Sequence, residues 1–475
     1  MPENTKTLAV YCWSPHVQAE GVKAVLDNLQ EAGVNTVSTT SYVAEPAGVT
    51  ELGPGIRREP PEDGGRGMDR IVDRPLWGKR EQFLRTGPSF EHDRSLYEEC
   101  VAFAPPEPNA LTSSQGHVVS DFIAEAKNRG MKVYMQVAPS GRTGINSDAP
   151  KDALDLETPR LPNGESPGER MVNFPPIAST ELHKFNTALV KDVLTAYPQL
   201  DGVMLDRMEQ SVYSFDDSFV DFGPYSHKFA NENDFDFERM RNAAQSVIDG
   251  LQKVTNADLV PAQQAGGIPY TLMTALRTNP AMAELLEFRA AITRSYLQKF
   301  RDAADSVRDG VELVPATFPP PISLLTGVDF AKYAELADAM MIKFFTMHWP
   351  LIVTYWTESL TRMNPSLDPG LVARAVSNAF DMEDDPSANL DDYVFPGPDD
   401  AHRAGTDAQI RKIKQATSEA GGKPILPSVH AYGPMDDVER RWRIGWEAGD
   451  SGMWINRYGY LSAEKLALLK QVTQG

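Results

Sequence analysis

Cysteine is nearly absent. Cys12 and Cys100 are the only two in 475 residues, which excludes a disulfide framework and a zinc ribbon. Long apolar runs are missing too. No stretch reaches about 18 consecutive apolar residues, so no segment reads as a membrane-spanning helix. Basic charge is in deficit: 46 Lys and Arg stand against 66 Asp and Glu, a net charge of −20. Such a field repels phosphate backbones and anionic bilayers, so neither nucleic acid nor a membrane is expected as a partner. No Gly-rich phosphate loop follows the first strand-like run. The turn there is Trp13-Ser-Pro-His16, which argues against a dinucleotide-binding sheet. Paired histidines at metal-ligand spacing are missing as well, and the expectation is that no cofactor is used. The opening Met1-Pro-Glu-Asn-Thr-Lys6 lacks the layout of a signal segment, which gives a cytoplasmic expectation. What remains is ordinary for a chain with a large core: 41% hydrophobic and 24% charged residues.

Two periods alternate along the chain. Short apolar runs are followed by amphipathic stretches of helical period, the pattern of parallel strands with crossover helices. The runs are Leu8–Trp13, Thr36–Thr40, Met131–Val137, Gly202–Leu205, Val311–Ala316, Ala339–Phe345, Pro424–Val429 and Gly452–Asn456. Each is followed by a stretch that places apolar residues on one helical face. The stretch after the first does so with Val22, Val25, Leu26 and Leu29, and stops at Gly33. Eight such steps are the arithmetic of a (β/α)8 barrel, with an open doubly wound sheet as the runner-up.

A bare barrel needs about 250 residues, so much of the chain lies outside it. The surplus falls after strands two, three, four and six, in 43–116, 138–178, 207–285 and 350–405. Loops that follow barrel strands share the C-terminal face, so these excursions are expected to wall a cleft there. The expectation is one decorated barrel over 1–475, with 207–285 as an inserted helical subdomain or lid. Helical patterns lie near Phe237–Val254 and Pro269–Arg277, and 89–99 reads as a surface helix.

Chemistry in a barrel sits where strands end. The string Asp201-Gly-Val-Met-Leu-Asp-Arg-Met-Glu209 puts Asp206 at the mouth of a buried strand, with Arg207 and Glu209 just beyond. Asp206 is the candidate nucleophile or base and Glu209 its preferred partner. Lys343 lies inside the sixth run, where a charge needs a partner. Gln136, His348, His430, Asn456 and Arg457 stand at other strand mouths with groups that bond hydroxyls. Arg289 opens a helix near the same rim as a cation for Asp206. Trp13, Tyr42, Trp349, Tyr432 and Trp454 offer aromatic faces of the kind that suit sugar C–H faces.

The segment "YPQLDGVMLDRMEQ" resembles the "DG-x-x-x-D" fourth strand of glycosyl-hydrolase-like barrels related to the α-amylase superfamily, the family-10-like glycosyl hydrolases. "FRAAITRSYLQKFRDAADSVRDGVELVPATF" resembles their next helix and fifth strand. "ADAMMIKFFTMHW", "KPILPSVHAYG" and "AGDSGMWINRYGYLS" are similar to the sixth, seventh and eighth. The resemblance covers roughly 180–475 and implies hydrolysis of a glycosidic bond, with a carbohydrate or glycoside as substrate and Asp206 at the fourth-strand carboxylate. Two departures stand out: Arg207 occupies a position where many relatives carry a second acid, and Pro315-Ala-Thr317-Phe ends strand five without a Glu. The proton donor therefore stays open among Glu209, Glu358, Asp436 and Asp437. A lyase, epimerase or metal-assisted hydrolase on the same barrel is the alternative, as is a non-catalytic carbohydrate-binding barrel. A homo-oligomer is left open.

Overall fold

The computed structural model describes residues 6–48, 56–59, 72–79, 82–139, 144–168, 174–220, 222–261, 273–274 and 276–474. Eight parallel strands form a closed barrel. They are β1 (Thr7–Tyr11), β2 (Thr36–Thr39), β6 (Lys132–Val137), β7 (Gly202–Asp206), β8 (Glu312–Thr317), β9 (Met340–Phe344), β10 (Ile425–His430) and β11 (Gly452–Asn456). Closure comes from β1, which pairs in parallel with both β2 and β11. Each strand lies within a residue or two of its expected run. The barrel is so tightly paired at Gly202 that a Cβ there would sit 2.0 Å from the Glu312 carbonyl oxygen. Only glycine lets β7 and β8 approach so closely.

Side chains alternate across each strand, and the alternation sorts them into two cores. One set points outward, such as Val203 and Leu205, which belong to the same core as Leu182, Val190 and Val193 of the helix Thr180–Ala196. The other set fills the barrel: Ala9, Tyr11, Tyr134, Met204, Val314, Met341, Leu426 and Trp454. Stepping two residues further along these strands reaches Trp13, Gln136, Asp206, Ala316, Lys343, Ser428 and Asn456. Five of these seven, Gln136, Asp206, Lys343, Ser428 and Asn456, are polar, so the barrel's C-terminal mouth sets polar groups directly on an apolar plug.

Three further strands, β3 (Tyr42–Ala47), β4 (Ile56–Glu59) and β5 (Gln82–Pro88), make an antiparallel sheet in the order β3-β5-β4. This sheet lies in the excursion after β2 and was not foreseen there. Pro46 and Gly87 interrupt the alternation that would have betrayed it. The excursion after β7 carries the helices Pro224–Glu232, Phe237–Gly250 and Asn256–Leu259 before the 27-residue helix Ala281–Val307. That last helix begins seven residues before Phe288, the first residue of the segment that resembles the family's next helix and fifth strand. Residues 49–55 and 60–71 of the first excursion and most of Pro269–Arg277 lie outside the described residues.

The segment 89–99 does not form the expected surface helix. Only a single 3-10 turn forms, Arg94–Tyr97. His92 and Tyr97 instead bury their polar ends on Asp192, at 2.7 and 2.9 Å. A carboxylate more than 90 residues away in the chain supplies these partners, and no helical period could announce it.

Candidate active site

The site is built on β7. Its alternation places Met204 inside the barrel and hence Asp206 at the mouth. Gln136 on the neighbouring β6 is one side-chain step above Tyr134, and its Nε2 donates to Asp206 Oδ2 at 3.1 Å. Lys343 on β9 stands two residues above Met341. Its Nζ lies 3.4 Å from Asp206 Oδ1 and 2.5 Å from Glu209 Oε1. Two carboxylates thus share one buried ammonium.

Glu209 is 2% exposed. Its second oxygen accepts the Phe318 backbone N–H at 2.7 Å. Burial pushes its carboxyl above the ordinary range, against the pull of Lys343 and the Phe318 amide. Lys343 is driven the other way. Its own burial disfavours charge, yet Glu209 and Asp206 outweigh that and hold it above the usual lysine range. Its ammonium also lies 5.4 Å from the centre of the Phe318 ring. Glu209 lines a pocket with Pro159, Phe174, Ile177, Gln210 and Val220.

The remaining expected residues divide into three groups. His348 Nδ1 and the Tyr213 hydroxyl are 3.2 Å apart beside this cluster. Burial raises Tyr213 to about 12, while Lys343 and Arg207 pull it down. Tyr213 was missed in the sequence; it lies seven residues beyond Asp206 in a loop with no readable period. His430 is buried on β10, its Nδ1 accepting the Tyr432 N–H, and its ring lies 5.9 Å from that of Phe345. Asn456 pairs with His430 across β10 and β11. Arg457 places its guanidinium carbon 3.3 Å from the centre of the Trp13 ring. These residues ring the mouth.

A second group serves the framework. Trp454 is 1% exposed in the barrel plug, against Tyr134. Trp349 packs on Phe344 and under the Lys412 ammonium. The Tyr432 hydroxyl donates to the Pro396 carbonyl. Tyr42 opens β3, and its carbonyl accepts from Ser14. In the third group are cations and acids with other bonds. Arg289, expected to serve Asp206, donates to the Leu325 carbonyl at 3.0 Å and to the Ser218 carbonyl. It ties the β7 excursion to the loop after β8. Asp437 is buried against Arg441, 2.7 Å away, and Arg440. Despite the desolvation that would raise it, those cations hold its carboxyl below the usual range. Asp436 accepts the Asp437 N–H. Glu358 lies on the helix Trp349–Met363. Among the described residues, no group of three or more His, Cys, Asp or Glu is placed to hold a metal ion.

No known protein family matches the chain, and no curated protein resembles it in sequence. Solved structures match it at low identity and with TM-scores below 0.5. The β-galactosidase of the psychrophilic Marinomonas ef1 is 12% identical, with a TM-score of 0.49, over 98% of this chain and 59% of that one. The α-galactosidase AgaB of Geobacillus stearothermophilus is 9% identical, with a TM-score of 0.41, over 99% of this chain and 41% of that one. The Group IV chitinase of Ostrinia furnacalis is 8% identical, with a TM-score of 0.39, over 99% and 100%. The chain spans less than two thirds of the length of the β-galactosidase it matches. Identities this low leave activity, substrate and site residues to the geometry of this chain.

Proposed function

We propose that the protein hydrolyses a glycosidic bond at the barrel mouth, with Asp206 as nucleophile or base and Glu209 as the acid partner. One arrangement carries the reading: two carboxylates on a strand end and its loop meet a single buried ammonium. The two nearest oxygens are no further apart than the two Nζ distances laid end to end. That favours the close spacing of retaining enzymes over the roughly 6.5–9.5 Å of inverting ones. In the retaining course Asp206 forms a bond to the anomeric carbon as the bond to the leaving oxygen breaks, and that oxygen takes the proton of the acid partner. Water, losing a proton to the same partner, then releases the sugar. Burial raises Glu209, the direction an acid partner needs. Lys343 and Gln136 hold Asp206 in place.

A second reading of the proton donor rests on the enclosure of Glu209, whose two oxygens are taken up by Lys343 and the Phe318 amide. In that reading Glu209 only anchors Lys343, and His348, bonded to Tyr213, supplies the proton. Leaving-group dependence separates the two. If Glu209 is the donor, Glu209→Gln loses kcat/KM on aryl glycosides with poor leaving groups and keeps it on dinitrophenyl glycosides, whose kcat falls because the water-activating base is gone; His348→Gln shows that pattern instead if His348 is the donor. Asp206→Asn tests the whole proposal. It keeps the shape and is expected to cut turnover by about 10³-fold or more with the melting temperature nearly unchanged. A folded Asp206→Asn protein with near-normal turnover would make the carboxylate structural.

A further inference from the structure

One cation beside Asp206 has no use in the reaction just described. Arg207 follows the strand end directly and sits at φ 65°, a conformation that residues other than glycine adopt at a cost and that gathers at functional sites. Its side chain is 49% exposed. The nearest carboxylate oxygen is Asp206 Oδ2, 3.8 Å from Nε, which is too far for a hydrogen bond. Its guanidinium carbon lies 5.6 Å from the centre of the Phe174 ring. Phe174 lines a pocket with Glu209, and Arg207 thus stands between that pocket's rim at Phe174 and the Asp206 carboxylate. Among the described residues, neither terminal nitrogen of Arg207 donates to a carboxylate or a carbonyl. Lys343, by contrast, is matched by Glu209 at 2.5 Å, and Arg457 lies with its guanidinium carbon 3.3 Å from the centre of the Trp13 ring.

A counter-ion for Asp206 would engage it through the guanidinium fork, and Lys343 and Gln136 already serve that carboxylate. A planar fork with free terminal nitrogens is instead the usual receptor for an oxyanion, which it binds through two parallel hydrogen bonds. We infer that the cleft takes a glycoside whose sugar bears an oxyanion, a carboxylate, sulfate or phosphate, and that Arg207 binds that group. The inference rests on the hydrolytic reading for the bond that is cleaved, and on Arg207 alone for the charge that is recognised.

Ligand-observed NMR on the whole protein tests the charge without requiring turnover. The probes are D-glucuronate, D-galacturonate, glucose 6-sulfate and glucose 6-phosphate, against neutral D-glucose and D-galactose. At least one acidic probe is expected to bind about tenfold or more tighter than its neutral parent. The best binder tells carboxylate from sulfate and phosphate. Arg207→Gln should abolish the preference, and Arg207→Lys, which keeps the charge but not the fork, should retain part of it. Both variants sit on a half-exposed side chain and should fold.

Turnover is then read as the ratio of kcat/KM on acidic to neutral 4-nitrophenyl glycosides of both anomers, within each variant. Taking the ratio cancels any effect of Arg207 on Asp206 itself. The wild-type ratio should exceed one and fall about 10- to 100-fold in Arg207→Gln. Equal binding of acidic and neutral probes, no binding of any, or a preference that survives Arg207→Gln would overturn the inference. Turnover of neutral glycosides alone would overturn it while leaving hydrolysis standing. Acid-selective binding that needs Arg207, with no glycoside cleaved, would keep the oxyanion site and end the hydrolytic reading.

Discussion

A lysine inside a barrel strand has to be matched by negative charge, because an unpaired buried ammonium costs several kcal/mol. That much was legible in the run Met340-Met-Ile-Lys-Phe344, and so was the place of Asp206 at a strand mouth. The match between Lys343 and Glu209 was not. It depends on how the loop after β7 folds back, and a three-residue step in sequence says nothing of that direction. The pairing predicts an asymmetric response to substitution. Lys343→Met leaves Glu209 buried without its cation and should destabilise the protein by about 3–5 kcal/mol, read as a lower melting temperature and denaturation midpoint. Adding Glu209→Leu should restore most of that stability, since an apolar pair of similar size replaces the ion pair, while activity stays lost. If the double variant is as unstable as Lys343→Met alone, the two residues do not act as a pair.

At the scale of elements, the strands were readable because each is a short continuous apolar run, and so was the helix Phe237–Gly250 in the excursion after β7; the rest of the excursions was less legible. The β3-β5-β4 sheet hides behind Pro46 and Gly87. The 89–99 segment takes its shape from Asp192. Glu157 belongs to the same class of contact. It caps the helix Lys151–Leu156 in the excursion after β6, and its Oε1 accepts from Ser179 at 3.0 Å and Tyr225 at 2.9 Å. Tyr225 lies on the helix Pro224–Glu232 in the excursion after β7. Burial raises Glu157 from the ordinary 4.5 to about 7, against the two hydroxyls that lower it, and the nearby Glu181 raises it further. The folded state therefore binds this proton more tightly than the unfolded chain. The stabilisation is complete below about pH 4.5 and is lost as pH rises through about 7. The shift corresponds to roughly 3 kcal/mol at most. The melting temperature should thus carry a downward component between pH 5 and 8 (about the span of the shift) that Glu157→Gln removes. An identical pH profile for the wild type and Glu157→Gln would show that the carboxyl titrates normally.

For the whole molecule, eight alternating runs sufficed to indicate a closed barrel, because strand count and surplus after strands leave few other topologies. Net charge acts at the same scale and in the opposite sense to the cleft. The chain carries −20, so on the inference drawn above an anionic substrate would be repelled at a distance and held by Arg207 only on arrival. The two effects have different reach. The Debye length falls from about 30 Å at 0.01 M salt to about 8 Å at 0.15 M, which removes most of the long-range repulsion and leaves a contact within the cleft less affected. Raising salt over that interval should therefore increase kcat/KM for an acidic glycoside, while a neutral glycoside of the same sugar should change little. The gain should appear in KM rather than in kcat, because the field acts before the substrate is bound. In Arg207→Gln the rise should persist at a lower absolute kcat/KM, since the long-range repulsion comes from the whole surface. A fall in kcat/KM with salt for the acidic glycoside would mean that attraction dominates at every distance, and that the acid excess lies on surfaces remote from the cleft.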